Sequence, residues 1–495
     1  MGGSIDRRRE QTETMTDTLL KYYHSLPSPL RSVAASLRGV YLRSWRYGPE
    51  TERLVEEALA RESWTVNQWK SWREERLGYV LHRAATSVPY YRERWNARRR
   101  SGDRASWEYV ENWPILEKET VRKNPRALLA DDCDPRRMFP ERTSGTTGTP
   151  LNLWWSKDTV RAWYALSEAR IRYWNGLSRR DRWAMLGGQL VTPASQRRPP
   201  FWVYNRGLNQ LYMSSYHLAP GNVEYYLDAM TRHRLSYVYG YTSSLYAMAD
   251  VILGSGRRDI AMAAAITTAE PVYEHQRKAI AQAFNCPVRE TYGMTELVAA
   301  ASECTVGSLH LWPEVGFVEV IGDSSAFSNA SSSDLVCTGL LNIDMPLIRY
   351  RTGDQGALGP EHNMCGCGRA LPILASVEGR ADDLLYTMDG RRIGRLDPLF
   401  KGDLPIQEAQ IVQEELNRLR VRYVPGPDFR PHHESVITQR LQERMGMVKV
   451  EMESLNAIPR GPNGKFQAVI CNLSRQEREF LTSAGTSSNP PSLPS

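Results

Sequence analysis

The sequence predicts an α/β protein: a large N-terminal domain built on a mostly parallel sheet, followed by a small mixed domain. Two observations carry this. Between residues 151 and 320, short apolar runs alternate with longer helical patterns, the signature of βα units. Past Asp382 that alternation gives way to a smaller mixed segment ending near Leu473. With 495 residues the chain is long enough for two or three domains, and its 41% hydrophobic and 24% charged residues are those of a globular protein.

Taken in order, residues 1–25 are polar and are expected to be disordered. The large domain is placed at 26–381, with a helical preface at 50–95. Trp69, Trp72, Leu77, Val80, Leu81, Ala84 and Val88 recur at intervals of three to five, and Pro89 stops the run. The tryptophans read as the packed face of an amphipathic helix. Strands are expected at Arg182–Leu186, Ser236–Tyr239, Ala263–Thr267 and Val288–Thr291, and helices at Asp158–Gly176, Asn222–Arg234, Ser244–Gly254 and Val272–Phe284. Pro193–Pro200 and Gly322–Asp334 read as loops. The small C-terminal domain is placed at 382–475, and residues 476–495, rich in Ser and Pro, as a disordered tail.

Composition narrows the function classes. A net charge of +7 is small for this length, and no basic stripe interleaved with aromatics appears, so nucleic acid is not an expected partner. The N-terminus, with Arg7-Arg8-Arg9 and no apolar stretch behind it, lacks a signal peptide, and no run reaches the length of a membrane span. Seven cysteines do not form a disulfide framework pattern, which points to a reducing, cytoplasmic location.

The stretch Thr143-Ser144-Gly145-Thr146-Thr147-Gly148-Thr149-Pro150 combines glycines, whose backbone N–H groups can converge, with hydroxyl donors. That is the chemistry of a phosphate cradle, though Thr149 stands where a Walker A loop has Lys. Further motifs follow in order. They are Thr268-Ala269-Glu270-Pro271, Glu290-Thr291-Tyr292-Gly293-Met294-Thr295-Glu296, Tyr350-Arg351-Thr352-Gly353-Asp354, Glu378-Gly379-Arg380-Ala381-Asp382-Asp383 and Pro459-Arg460-Gly461-Pro462-Asn463-Gly464-Lys465-Phe466. This set resembles the adenylate-forming (AMP-binding) superfamily, from Ser144 to Lys465. The stretch Ala84–Tyr91, the segment Gly240-Tyr241-Thr242-Ser243-Ser244 and a Cys-x-Cys-Gly-Arg element resemble the phenylacetate-CoA ligase branch and its CapK-type relatives of capsular polysaccharide biosynthesis. Leu151 departs from the Lys that many members carry there, as that branch commonly does.

The resemblance implies layered, mostly parallel sheets and helices in the large domain and a mobile α+β C-terminal domain. It implies attack of a carboxylate on the α-phosphorus of ATP, giving an acyl-adenylate and pyrophosphate, then transfer of the acyl group to CoA or another acceptor. Ser144, Gly145, Thr146, Thr147 and Gly148 would wrap the phosphates. Glu270 and Pro271 would lie along the adenine, with Tyr292 against its face. Asp354 would bind the ribose hydroxyls. Thr295 would meet the α-phosphate, Glu296 would ligate Mg²⁺, and Arg380 would stand near the phosphates. Asp382 corresponds to the hinge. Lys465, on a turn made flexible by Gly461 and Gly464, would bridge carboxylate and α-phosphate as the catalytic cation. The acyl pocket would be bounded by Trp183–Gly188, by Tyr239, Gly240, Tyr241, Thr242 and Ser243, and by Thr268, and its aromatic lining suits a flat or aromatic acid.

Cys304, His310, Cys365 and Cys367 supply three thiolates and an imidazole, a tetrahedral Zn²⁺ set, with His362 and Cys337 as spares. Free buried thiols are the other reading. Zinc in some members of the phenylacetate-ligase branch favours a structural, four-ligand site. The expected partners are thus a small carboxylic acid, ATP with Mg²⁺, and CoA or a carrier protein, for a monomer or homodimer. The competing functions are a non-catalytic nucleotide-binding protein and a CapK-like ligase that acylates a carrier or a sugar amine or hydroxyl.

Overall fold

The structure, a computed structural model, describes residues 19–143, 151–193, 196–218, 220–322, 333–360, 365–380, 385–388, 392–393, 404–459, 466–474 and 476–477. Ser144, Gly145, Thr146, Thr147, Gly148, Asp382, Lys465 and the spare ligand His362 therefore lie outside the described residues, as do residues 1–18 and most of 476–495.

The N-terminal third is helical. Residues 19–25, read from sequence as disordered, form a helical turn in which Tyr23 Oη donates to the Val191 carbonyl (3.0 Å). Helices follow at Ser28–Arg46, Pro49–Ala60, Val66–Ser87 and Pro89–Arg100. The third opens with a capping box: Gln68 N donates to Thr65 Oγ1 (3.3 Å) and Thr65 N to Gln68 Oε1 (2.9 Å). Pro89 ends that helix, but it also occupies the first turn of the next, where its missing N–H costs nothing. Tyr91 and Trp95 are therefore buried residues of this next helix, within the expected helical preface.

A hairpin of β1 (Phe139–Arg142) and β2 (Asn152–Trp155) carries the Ser/Thr/Gly loop as its connection. Its ends are tied by Thr143 N to the Leu151 carbonyl (3.2 Å) and Leu151 N to Thr143 Oγ1 (2.9 Å). Leu151 is fully buried in the core cluster that holds Val298 and Tyr350. The departure from Lys is thus an apolar anchor at the loop's base.

The central sheet has eight strands: β3 (Trp183–Gly187), β4 (Trp202–Asn205), β5 (Gln210–Ser214), β6 (Tyr237–Tyr241), β7 (Ala264–Thr268), β8 (Val288–Gly293), β9 (Ala300–Glu303) and β10 (Leu309–Leu311). Their order is β10-β9-β8-β7-β6-β3-β5-β4; the five strands from β8 to β5 are parallel and the flanking pairings antiparallel. Each expected strand appears within two residues of its expected ends. One face, through Ala184, Leu186, Leu211, Met213, Val238 and Ala265, packs on the helices Pro220–His233, Thr242–Ser255 and Glu274–Phe284. The expected helix Asp158–Gly176 is an α-helix only over Lys157–Ser167. A π turn, Glu168–Arg172, and a 3-10 turn complete it, with Gly176 left-handed at φ 66° as the stop.

A second, antiparallel sheet comprises β11 (Gly316–Ile321), β12 (Ser333–Gly339), β13 (Tyr350–Leu358) and β14 (Leu374–Arg380). After the short pair β15 (Leu385–Tyr386) and β16 (Arg392–Ile393), the C-terminal domain forms a four-stranded sheet. It consists of β17 (Ile406–Glu415), β18 (Arg418–Pro425), β19 (Lys449–Ser454) and β20 (Val469–Cys471), with a helix at Pro431–Met445 joining β18 to its parallel neighbour β19. Ile411, Leu419, Val421, Ile437 and Leu441 make its separate core.

A buried ion network locks the preface to the sheet layers. Arg170, fully buried, donates both Nη groups to Glu314 (2.6 and 2.7 Å) and its Nε to Glu62 (3.2 Å). Removing the cation leaves buried carboxylate charge unpaired. Arg170→Met is expected to lower stability by about 3–5 kcal/mol in urea denaturation. A loss below about 1 kcal/mol would mean that the apolar replacement compensates for the pair.

Candidate active site and metal cluster

Four residues of the motif set meet where β8 leaves the central sheet and β13 crosses the second. Tyr292 Oη donates to Asp354 Oδ2 (2.7 Å), and Tyr350 Oη donates to Glu296 Oε1 (3.1 Å). Glu296 is buried, with one oxygen committed to Tyr350. Burial pushes the Tyr292 phenol far up, and Asp354 and Glu296 add to the shift, so it stays a neutral donor. Register places Arg380 opposite Asp354 on β14. Thr295 lies in the turn between Tyr292 and Glu296, half-buried.

The backbone is bent at each of these points. Left-handed φ values occur at Ala269 (64°), Leu297 (53°), Arg349 (48°) and Gly353 (84°), each adjacent to Glu270, Glu296, Tyr350 or Asp354. Non-glycine residues in that region are costly and persist where surrounding packing holds them. Leu297, fully buried, is such a case.

Glu270 sits at the end of β7 with its carboxylate turned to a helix N-terminus. It accepts from Ser243 N (2.7 Å) and Ser243 Oγ (3.1 Å) at the start of Thr242–Ser255, and from Phe466 N (3.0 Å). The last bond joins the large domain to the residue immediately after Lys465. Pro271 follows in the same loop.

Of the acyl-pocket residues, Tyr239 lines a cavity of about 1400 Å³ on the sheet face opposite the helices. Trp183, Met185, Tyr212, Tyr237 and Ile266 form the rest of its floor; Ala34, Ala35 and Leu42 of the helix Ser28–Arg46 contribute to its roof. Tyr241 Oη accepts from Gly188 N (3.1 Å) and so fixes the loop at the cavity's end. Thr268 ends β7 beside Tyr241. Gly240 does not face this space. Strand alternation turns it to the other side, where an added Cβ would stand 2.8 Å from Leu186 Cβ and carbonyl oxygen. Close strand packing explains this glycine.

Cys304, His310, Cys365 and Cys367 converge, their ligand atoms all within 4.8 Å of one another. Cys304 Sγ is 3.8 Å from Cys365 Sγ, and Cys367 Sγ is 3.4 Å from His310 Nε2. A tetrahedral zinc with bonds of about 2.3 Å to sulfur and about 2.0 Å to nitrogen separates two sulfurs by about 3.8 Å and sulfur from nitrogen by about 3.5 Å. The donor set fits such an ion. His310 Nδ1 lies 3.1 Å from the Leu371 carbonyl, a contact that leaves Nε2 toward the thiols. Burial pushes the imidazole below its ordinary range, keeping it neutral. Gly307 (φ 89°) and Gly368 (φ 83°) make the two turns that present the cysteines. Trp69 and Trp174 pack around the cluster. Cys337 lies apart from it, near Asp354 and Glu319, its thiol pushed up by burial.

The comparisons with known proteins agree with this geometry. Residues 385–472 match the family model of the CapK C-terminal domain. CapK of Staphylococcus aureus is 24% identical over 464 residues, covering 92% of this chain and all of CapK. Phenylacetate-coenzyme A ligase of Pseudomonas putida is 24% identical over 337 residues, covering 66% of this chain and 73% of that enzyme. Over most of its length the chain is thus similar to the adenylate-forming ligases of this branch. Its fold matches 2-hydroxyisobutyryl-CoA ligase in the postadenylation state with R3-HIB-AMP at a TM-score of 0.64 and 19% identity, over 86% of this chain and 94% of that one. The same ligase in its thioesterification state, with 2-HIB-AMP and CoA, matches at 0.51 and 20% identity over the same shares.

Glu290, the first residue of the Tyr292 motif, received no role from sequence. Burial pushes its carboxyl up to about 7, Arg277 opposes the shift and Glu303 reinforces it. The signal was a second acid beside Arg277, which only the fold brings together. Raised from 4.5, this carboxyl holds its proton in the folded chain where the unfolded chain has released it. Its contribution is full below about 4.5 and is lost as pH rises toward 7. Glu290→Gln is expected to flatten that descending part of the melting-temperature profile. An unaltered profile would mean that the carboxyl is already ionised in the fold.

Proposed function

We propose that this ligase activates a bulky carboxylic acid by adenylation and passes the acyl group to CoA or a comparable acceptor. The observation that carries the reading is the pairing of Tyr292 with Asp354 and of Tyr350 with Glu296 at one strand end, with the residue after Lys465 bonded to Glu270 nearby. Asp354 would hold the ribose, and Tyr292, oriented by that carboxylate, would lie against the base. The hydroxyls and amides of Ser144–Gly148 would receive the phosphates. Glu296 offers a carboxylate oxygen, the hard donor that Mg²⁺ selects, and the ion would neutralise phosphate charge when bound. Lys465 would orient the carboxylate against the α-phosphorus. Two anions must approach, so positioned cations and donors supply the catalysis and no covalent help from the protein is needed.

The cavity supports a large acyl group. Drug-sized ligands fill about 300–1,000 Å³, and this cavity exceeds that, with an apolar and aromatic floor. An acyl tail entering past Tyr239 would lie beneath the helix Ser28–Arg46. Lys465→Ala should abolish acid-dependent ATP–pyrophosphate exchange, and a panel of acids should show aromatic or long aliphatic members exceeding acetate. Met185→Trp should reduce kcat/KM for the large acids by about tenfold while sparing small ones. Exchange with none of the acids would remove the reading.

The thiol–imidazole cluster is proposed as a structural zinc site. Four protein ligands leave no open position for catalysis, and the ion would clamp the Cys304–His310 hairpin to the Cys365–Gly368 turn. About one zinc per chain is expected by elemental analysis, with Cys365→Ser plus Cys367→Ser losing the metal and melting earlier. A metal-free chain of unchanged stability would leave the cysteines as free thiols.

A further inference from the structure

The helix Ser28–Arg46 is turned inside out relative to an ordinary surface helix. The side that meets β4 is small and polar. Tyr204 N donates to Ser32 Oγ (3.3 Å), and Ser36 Oγ donates to the Tyr204 carbonyl (3.2 Å) and accepts from Arg206 N (3.1 Å). Gly39 lies so close to Asn205 that an added Cβ would stand 1.9 Å from its Oδ1. These contacts cover β4, the edge strand of the central sheet. The solvent side carries the large apolar residues instead: Leu30 is 50% exposed, Val33 53%, Leu37 68%, Val40 58% and Tyr41 63%. At 100° per residue they fall within an arc of about 100°, and Arg38 and Arg43, both exposed, stand about 60° beyond its two borders. The preceding helical turn adds exposed Lys21 and Tyr22, while Leu19 and Leu20 line the cavity mouth.

We propose that this face is a docking surface for an anionic lipid bilayer, on which the ligase rests without spanning. Among the described residues no helix is long and apolar enough to cross a membrane. An apolar stripe bordered by cations, with tyrosines among the outward residues, is the pattern of a helix lying in the lipid interface. The charge balance selects the occupant. The helix carries Arg31, Arg38, Arg43 and Arg46 and no Asp or Glu. A second copy seated on the same stripe would bring arginine borders against arginine borders, a like-charge arrangement that disfavours self-pairing. Phosphate headgroups complement the same borders, and acyl chains complement the stripe. Because Arg38 and Leu42 also line the acyl cavity, the bilayer would lie directly above the roof of that cavity.

The test is flotation of the full chain with phosphatidylcholine vesicles and with vesicles in which about a third of the lipid is phosphatidylglycerol. The wild type should float with the anionic vesicles, much less with the neutral ones, and be released in part by salt. Leu30→Asp combined with Leu37→Asp should lower the partition coefficient at least about tenfold, with an unchanged melting temperature showing that the fold is intact. Failure of the wild type to float with anionic vesicles would overturn the proposal, as would equal flotation of the double variant. A wild-type dimer that the same two substitutions dissociate, with no vesicle binding, would assign the face to a second copy.

Discussion

Side-chain alternation along the parallel strands is the constraint on which most of the molecule rests. In β3, β6 and β7 one set of side chains (Ala184, Leu186, Val238, Ala265) is committed to the helical layer, and the intervening set is sent the other way. Met185, Tyr239 and Ile266, level with one another by register, cannot join that layer and so floor the cavity. The same parity disposes of Gly240, which sits among pocket residues in sequence and faces the core in space. It also decides which side the helix Ser28–Arg46 must cover, since β4 ends the sheet beside the cavity.

The candidate site residues gather where the backbone leaves regular geometry. Ala269, Leu297, Arg349 and Gly353 each hold a left-handed φ beside a site residue. Strain of this kind is maintained by packing, and the packing is visible: Leu297 and Tyr350 are both fully buried. Tyr292 and Tyr350, one from each sheet, spend their hydroxyls on Asp354 and Glu296. Each carboxylate is thereby aimed by a tyrosine hydroxyl, an orientation of the kind that electrostatic catalysis uses.

What was legible in the sequence follows from the range of the signals. The four central strands and their helices were legible because each is a short apolar run or a local period, needing no partner to be recognised. The thiol–imidazole cluster was legible as a set of ligand types, but Cys304 and Cys365 are 61 residues apart, and only the 3.8 Å between their sulfurs makes them a pair. The second sheet was not assigned, because its strands alternate weakly and pair antiparallel across a Ser-rich connection. Glu290 escaped for a related reason: its shifted carboxyl depends on burial and on Arg277 and Glu303, none of which its own neighbours announce. The helix Ser28–Arg46 was missed because its polar residues face the protein and its apolar ones face out, the reverse of the pattern by which surface helices are read.

That reversal ties the two ends of the reading together. A roof helix whose inner face is fixed by Ser32, Ser36 and Gly39 has no need of outward leucines for folding, since exposed apolar area adds nothing to a core. It nonetheless bears five large apolar side chains outside, directly over a cavity whose floor is aromatic and aliphatic. A cavity too large for a small acid and a lipid-compatible roof above it are independent features of the same helix. Under the proposed reading a single demand accounts for both: an acyl group bulky and apolar enough to be met at a bilayer surface, with Glu270 and Tyr292 of the proposed adenylating set at the ends of β7 and β8 in the same sheet.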